Sequence, residues 1–284
     1  MASGAGSLRI RREFGAELRR LRGKRRAVDV GAAINVHQSH VTRIENGDRN
    51  CTPEVLDRFI AYYGLADEAA SCLRGLAAQM WDAEEPWWKE FGDSITANYD
   101  LLLQYESYAV ARRDYHTVLV PAHLQTKEYS RAVTGVEFGS LGPDQVDDLV
   151  AVRSRRQRSL YEEPKLEIHA IIGEAALRYQ VGGPTTHRAQ LQHLLDATEM
   201  ANVRLCVIPF SAGERGTQHS AFNVLRFEEP EPDVGFINTL TGSEIKTGAR
   251  DVRRLNRLFD NLAKGAHSRE DSRALISTIL RELD

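Results

Sequence analysis

Apolar positions recur at helical spacing along the first 65 residues. Phe14, Leu18 and Leu21 lie about one turn apart in RREFGAELRRLRGKRR, with Arg and Lys between them, and predict a first helix ending near Gly23. Val30, Ile34 and Val36 mark a short second segment. Val41 and Ile44 mark the inner face of a third helix within HQSHVTRIENG. Thr52 followed by Pro53 reads as an N-cap with proline in the first turn. The helix it opens, EVLDRFIAYYG, buries Val55, Leu56, Phe59, Ile60 and Tyr63 and stops at Gly64. The period continues through LADEAASCLRGLAAQMWDAEEPWWKEF until Pro86, which suggests a connecting helix that docks onto the C-terminal domain. Trp81, Trp87 and Trp88 have two readings: they line a pocket or dimer contact, or they pack at an interdomain seam.

From about residue 95 the pattern is mixed. Helices are predicted at 123–136, 143–161, 173–180, 186–200, 249–264 and 269–283. Extended segments are predicted at KLEIHAII (165–172), VRLCVIPF (203–210), SAFNVLRF (220–227) and DVGFINTL (233–240). Their uneven order suggests a largely antiparallel sheet, with a parallel pair flanking the 173–200 helices as the alternative. The expected fold class is an all-α helix-turn-helix N-terminal domain followed by an α+β C-terminal regulatory domain. The expected divisions are a flexible basic arm (1–12), a helix-turn-helix DNA-binding domain (13–66), a connecting helix (67–94) and an α+β regulatory or partner-binding domain (95–284). No repeat and no low-complexity tract is visible.

Composition narrows the functional classes. A chain of 284 residues has room for two domains. Cys51, Cys72 and Cys206 are odd in number and form no C-x-x-C pair. That argues against a disulfide framework or a cysteine-ligated zinc and suits a reducing cytoplasm. No apolar run approaches the ~20 residues that span a bilayer. The start, MASGAGSLRIRREF, lacks the apolar core of a signal peptide, so a cytoplasmic protein is expected. Charge is divided unevenly. Residues 1–50 hold eleven Lys/Arg against five Asp/Glu, whereas the other 234 hold 26 against 35. A basic head on an acidic body fits a polyanion-binding module attached to something else; a merely solvated basic terminus is the plain alternative.

The spacing within 27–45 carries the most information. Two helices crossing steeply over a short turn need a small residue where their backbones approach, and Gly31 occupies that position. Four residues on, the turn needs a residue tolerant of positive φ, and Asn35 is suited to it. Val36, Val41 and Ile44 then anchor the second helix. This is helix-turn-helix spacing, in which the N-terminal part of the second helix enters the major groove of double-stranded DNA.

With VHQSHVTRIENGDRNCTPEVLDRFIAYYGL, residues 14–65 resemble the Cro/lambda-repressor-like (XRE) helix-turn-helix domains. Two positions depart from that family. Ala27 stands where a phosphate-binding Gln is usual, and Asn35 stands where Gly is usual. The resemblance places Gln38, Ser39 and Arg43 on the groove-facing side, with Arg43 suited to guanine O6/N7 and Gln38 to adenine N6/N7. It makes His37, His40 and Thr42 backbone or flank contacts and puts Asn46 and Arg49 at phosphate. Glu45 is expected to pair with Arg20 inside the domain, because a carboxylate is repelled by phosphate.

Further along, YESYA (105–109), LVPAHLQTKEYSRAV (119–133), VRSRRQRSL (152–160), IGEAALRYQVGG (172–183) and the VIPF…SAFNVLRF stretch resemble the regulatory domain of WhiJ-like regulators of actinobacteria. Pro121-Ala122-His123-Leu124 departs from that family's proline-glycine-leucine-leucine. The resemblance implies a regulator often paired with a small cognate partner protein, some such pairs being antitoxin-like.

No catalytic motif is present: no G-x-x-x-x-G-K-[ST], G-x-G-x-x-G, H-E-x-x-H or G-x-S-x-G. His187 and His193 are six apart, not in the i, i+4 relation that zinc favours. No enzyme activity, cofactor or metal is therefore expected. Gly213, Gly216, Gln218, His219 and Ser220 form a loop that contacts an anion or ligand, or is simply a surface loop. Arg153, Arg155, Arg156 and Arg158 spread over several helix faces, as solvated charges or as a site for an acidic partner or anionic effector. The expected function is a dimeric, sequence-specific transcriptional regulator, a repressor, with a C-terminal domain that dimerises or senses a partner or ligand. The alternative is an antitoxin-like interaction module that neutralises a small protein and autoregulates.

Overall fold

Phe14 and Leu18 are fully buried, as their spacing predicts, on a helix that begins earlier than expected: α1 runs Gly6–Arg22. Residues 6–12, expected in a flexible arm, are thus helical, while 1–5 lie outside the described residues. The structure is a computed structural model that describes residues 6–137, 141–216, 220–239 and 242–283. It divides into two units: Met1–Lys89 with Leu103–Tyr108, and Glu90–Leu102 with Ala109–Asp284.

The first unit continues with α2 (Ala27–Ala33), α3 (Gln38–Glu45), α4 (Pro53–Tyr63) and α5 (Asp67–Trp81). The Thr52 hydroxyl accepts the Val55 N–H, and Gly64 ends α4 in the left-handed conformation at φ 60°, so both predicted caps are present. One core joins Phe14 and Leu18 to Val30, Ile34, Val41, Ile44, Leu56 and Phe59. The helix read from sequence as a connector belongs to that core as well. Leu73, Ala77 and Met80, at i, i+4 and i+7 on α5, pack into it, and the Trp81 indole N–H donates to Cys51 O at 2.8 Å.

The second unit begins with the end of a 3-10 segment (Trp87–Ser94) and the first part of α6 (Ala97–Glu106). Its centre is a six-stranded mixed sheet of order β3-β2-β1-β4-β5-β6. The strands are β1 (Ala111–His116), β2 (Glu167–Gly173), β3 (Val203–Ile208), β4 (Phe222–Arg226), β5 (Val234–Thr239) and β6 (Gly242–Lys246). β1, β2 and β3 are mutually parallel, and the other pairings are antiparallel. Parallel neighbours need crossovers, and helices supply them. α7 (Lys127–Glu137) and α8 (Pro143–Arg156) lie between β1 and β2; α9 (Ala175–Arg178) and α10 (Pro184–Ala197) lie between β2 and β3.

One sheet face, with Ile168, Ala170, Ile172, Leu205 and Val207, packs against Tyr129, Val133, Leu191 and Leu194, together with Ile276 and Ile279 of α12 (Arg269–Glu282). The other face, with Ile171, Cys206, Phe222 and Val224, packs against Val252, Leu255, Phe259 and Leu262 of α11 (Ala249–Gly265).

The α+β fold class is as expected, but the sheet is less antiparallel than predicted, and two strands were not anticipated. β1, ARRDYH, carries charge on a buried face: Arg112 donates to Asp114 at 2.6 Å, and both side chains are buried. Burial pushes the Asp114 carboxyl up, but Arg112 and His116 outweigh it and hold the group well below the usual range. The other unforeseen strand, β6, is a short edge strand. Helix ends also moved. Thr126 accepts the Tyr129 N–H through its hydroxyl, so α7 starts at Lys127 and residues 122–124 form a 3-10 turn. The predicted 143–161 helix tightens to a 3-10 turn at Gln157–Leu160, and the predicted 173–180 helix shrinks to Ala175–Arg178. Among the described residues no helix is long and apolar enough to cross a membrane.

Candidate nucleic-acid interface

The turn between α2 and α3 is fixed by two residues that its spacing singled out. A Cβ on Gly31 would lie 2.7 Å from Val36 O, so only glycine lets the backbones approach this closely. Asn35 has φ 54°, the one non-glycine residue at positive φ among the described residues. The Val36 N–H closes the turn onto Gly31 O at 2.9 Å.

His37 is the N-cap of α3: its Nδ1 accepts the Ser39 N–H at 3.2 Å and lies 2.8 Å from the Ser39 hydroxyl. This role was not foreseen, since histidine is not among the usual capping residues. The inner side of α3 is locked by Val41 and Ile44 and by a buried Glu45. Glu45 does not pair with Arg20, which is bound to Glu17 at 2.7 Å on its own helix. The Glu45 carboxylate instead accepts two bonds from Arg22, at 2.6 and 3.0 Å, with Arg19 at 3.6 Å. A residue three positions along, facing its own turn, captured the expected partner. Gly15 permits the close contact of α1 with α3: a Cβ there would lie 2.5 Å from Ile44 O and 2.6 Å from Glu45 O.

The eight residues singled out from sequence differ in how free they are. Gln38, Ser39, Thr42, Arg43, Asn46 and Arg49 are exposed, as is His37, while His40 is half-buried. The Thr42 hydroxyl turns back onto Gln38 O at 3.2 Å, and the Ser39 hydroxyl is held by His37. Asn46 caps the end of α3 and accepts from Arg19 through Oδ1. Burial, reinforced by Arg49 and Arg43, lowers the His40 pKa, so its ring is neutral at pH 7. The side chains of Gln38, Arg43 and Arg49 make no hydrogen bond or ion pair among the described residues. Two bear the hydrogen-bonding groups that read base edges, and the third is a cation in the loop after α3. Ala27, at the first position of α2, packs against the core and offers no polar group; the preceding Arg26 is held by Asp29 at 2.7 and 2.8 Å.

Residues 13–71 match the family described as Helix-turn-helix domain, and residues 99–278 match the one described as Domain of unknown function (DUF5753). The second match covers more than half of the 284 residues. The chain belongs to the DUF5753 family. Neither the curated proteins nor the solved structures contain a match.

In this DUF5753 member the helix-turn-helix match ends inside α5. Within the DUF5753 span, the sequence candidates are dispersed. His187 is buried, with Nε2 2.9 Å from Leu177 O, and among the described residues no three His, Cys, Asp or Glu side chains gather as metal ligands. Arg156 is buried and donates to the Tyr99 hydroxyl at 3.1 Å, Arg155 donates to Glu90 at 2.7 Å, and Arg158 is exposed. Gly213 and Gly216 lie in a 3-10 segment and Ser220 is exposed, while Gln218 and His219 fall outside the described residues.

Proposed function

We propose that this chain is a sequence-specific transcriptional regulator of the XRE type, a repressor, that binds double-stranded DNA as a homodimer. The DUF5753 domain would dimerise it or receive a signal, as the likeness to WhiJ-like regulators implies. The observation that carries the reading is the two-sidedness of α3. Val41, Ile44 and the Arg22–Glu45 pair hold one side, leaving Gln38 and Arg43 exposed and unengaged on the other. A rigid helix presenting one guanine-reading and one adenine-reading side chain suits direct readout in the major groove. One such helix reads a half-site, so two copies about one helical turn apart are the geometric expectation.

The test is binding to DNA from the gene's own upstream region against random DNA, at two salt concentrations. A specific, salt-dependent complex protecting two half-sites supports the reading; equal affinity for both DNAs refutes it. Arg43→Ala should cost about 1–3 kcal/mol on the specific site and spare most non-specific binding. Equal losses on both would remove Arg43 from base readout.

A second reading, an antitoxin-like module that neutralises a small partner, has one observation in its favour. Arg250, Arg253, Arg254 and Arg257 are exposed along α11 with no ion pair among the described residues. A complementary acidic protein would find a surface there. Co-purification of a stoichiometric small protein, lost on reversing these charges, would favour it.

A further inference from the structure

The second unit contains a cleft that the DNA-binding reading leaves unused. Its walls come from four helical pieces. Lys127 opens α7 and Arg131 lies one turn later on the same face. Asp147, Ala151, Ser154 and Arg155 recur along one side of α8, and Arg158 stands in the 3-10 turn behind it. Phe91 completes the lining. The cleft is open to solvent on one side and has a volume of about 520 Å³, within the roughly 300–1,000 Å³ of small-molecule sites.

The charge in this cleft is one-sided. Four cations line it against a single carboxylate, Asp147, which pairs with Arg131 across the two helices. Arg155 donates to Glu90 at 2.7 Å. Lys127 and Arg158 have no ion-pair partner among the described residues. On this unit Arg178 is matched by Glu174 and Glu282, and Arg113 by Asp260, whereas the α11 arginines are unpaired among the described residues but spread along an exposed helix. Cations gathered round one concave space repel one another, and an anion entering it relieves that repulsion while gaining two unused donors. Phe91, Ala151 and the aliphatic stems of Lys127 and Arg131 supply apolar surface beside the charge. A simple ion would leave that surface in water, whereas a flat apolar body would cover it.

The geometry points to the cleft between α7 and α8 as a binding site for a small organic anion. The ligand class is a carboxylate or phosphate monoester with a planar apolar body, its anionic end held by Lys127 and Arg158 and its body set against Phe91. A concave site of this size favours a small molecule over the convex surface of a protein partner. As an effector site it would deepen the sensing role proposed above, and it rests on that reading for its consequence but not for binding itself.

The experiment is calorimetric titration of the full chain with phenyl phosphate at low salt, with inorganic phosphate and benzyltrimethylammonium as comparators. Two variants at exposed positions test the walls: Lys127→Ala with Arg158→Ala, which removes charge, and Ala151→Trp, which fills the cleft without changing charge. Circular dichroism checks their folding. Saturable 1:1 binding of phenyl phosphate is expected. It should be stronger than that of inorganic phosphate, absent for the cation, and weakened at least tenfold by each variant. No saturation, or unchanged binding in the variants, overturns the site. Binding of a poly-glutamate peptide but not of phenyl phosphate overturns the small-ligand assignment in favour of an acidic protein. The ligand-free affinity for specific DNA is measured separately, so failure of the regulator reading leaves ligand binding in the cleft to stand or fall by itself.

Discussion

Replacing Gly15 by alanine sets two effects of opposite sign against each other. In a helix interior alanine is favoured over glycine by about 1 kcal/mol, so an unhindered Gly→Ala change stabilises. At Gly15 the added Cβ would lie 2.5, 2.6 and 2.8 Å from backbone atoms of Ile44 and Glu45, all closer than the 3.0 Å that real Cβ atoms keep. Backbone atoms cannot rotate aside, so α1 must separate from the end of α3 by roughly 0.5 Å. Overpacking of this kind costs about 1–3 kcal/mol, and three rigid neighbours put it at the upper end. The net loss is then about 2 kcal/mol after the helical gain.

Gly75 is the matched control. It lies in α5 of the same unit, exposed, and its Cβ would meet nothing within 4 Å. Gly75→Ala should therefore gain about 1 kcal/mol, separating the two substitutions by about 3 kcal/mol. Native-state amide exchange of the core amides in α1 and α3 reads this directly, as a difference on the order of 100-fold in protection. Displacing α3 should also weaken specific DNA binding in Gly15→Ala but not in Gly75→Ala. If Gly15→Ala protects these amides as Gly75→Ala does, the close packing of α1 on α3 is wrong, and so is the account of what holds α3.

Asn35→Val should destabilise the first unit by about 1–2 kcal/mol, because a β-branched residue is strained at φ 54°, whereas Asn35→Gly should be neutral or slightly stabilising. Urea unfolding would show Asn35→Val below the wild type and Asn35→Gly at or above it. Glu45→Ala leaves Arg22 without its bidentate acceptor in a part-buried place and should cost about 2 kcal/mol; Glu45→Gln, which keeps one acceptor, should cost about half that. A Glu45→Ala variant as stable as the wild type would show the pair to be incidental. In the second unit, burial pushes His169 down to about 4, with Arg204 and Arg113 adding to the effect and Asp260 opposing it. Its folded pKa lies below the unfolded value, so the stability it contributes is complete above about pH 6.5 and is lost as pH falls through about 4. Discounted for partial exposure, the loss is roughly 1–2 kcal/mol, and His169→Gln should flatten the fall of melting temperature between those limits. Parallel curves for the two proteins would contradict it.

Much of the first unit was legible because its signals are local. Thr52-Pro53, Gly64, Gly31 and Asn35 each meet a backbone requirement within a few residues of themselves, and Phe14, Leu18, Val41 and Ile44 repeat with the period of the helices that bury them. The exposed polar side of α3 is the complement of that apolar period, while the choice of Gln38, Ser39 and Arg43 on it rested on the family resemblance. His37 as a cap was not legible, because only the folded turn brings its Nδ1 to the Ser39 amide.

The second unit shows where local signals end. β1 carries Arg112, Arg113, Asp114 and His116, a composition that reads as surface. It is nonetheless an interior strand, its buried Arg112 paired with Asp114 at 2.6 Å and His116 3.8 Å from the same carboxylate. Glu45 found Arg22 rather than Arg20, a choice set by how α1 is rotated against α3 and invisible in a charge pattern. The α7–α8 cleft likewise gathers Phe91, Lys127 and Arg158, which are far apart in the chain. The amino-acid order alone was enough for the helices of the first unit, the Thr52 and Gly64 caps, the turn between α2 and α3 and the polar side of α3, since each depends on neighbours in sequence; the helix α6 was not read from it. Strand pairing, the partners of buried charges and the gathering of cations into a cleft were settled by packing, since they depend on residues that meet only when distant segments are brought together.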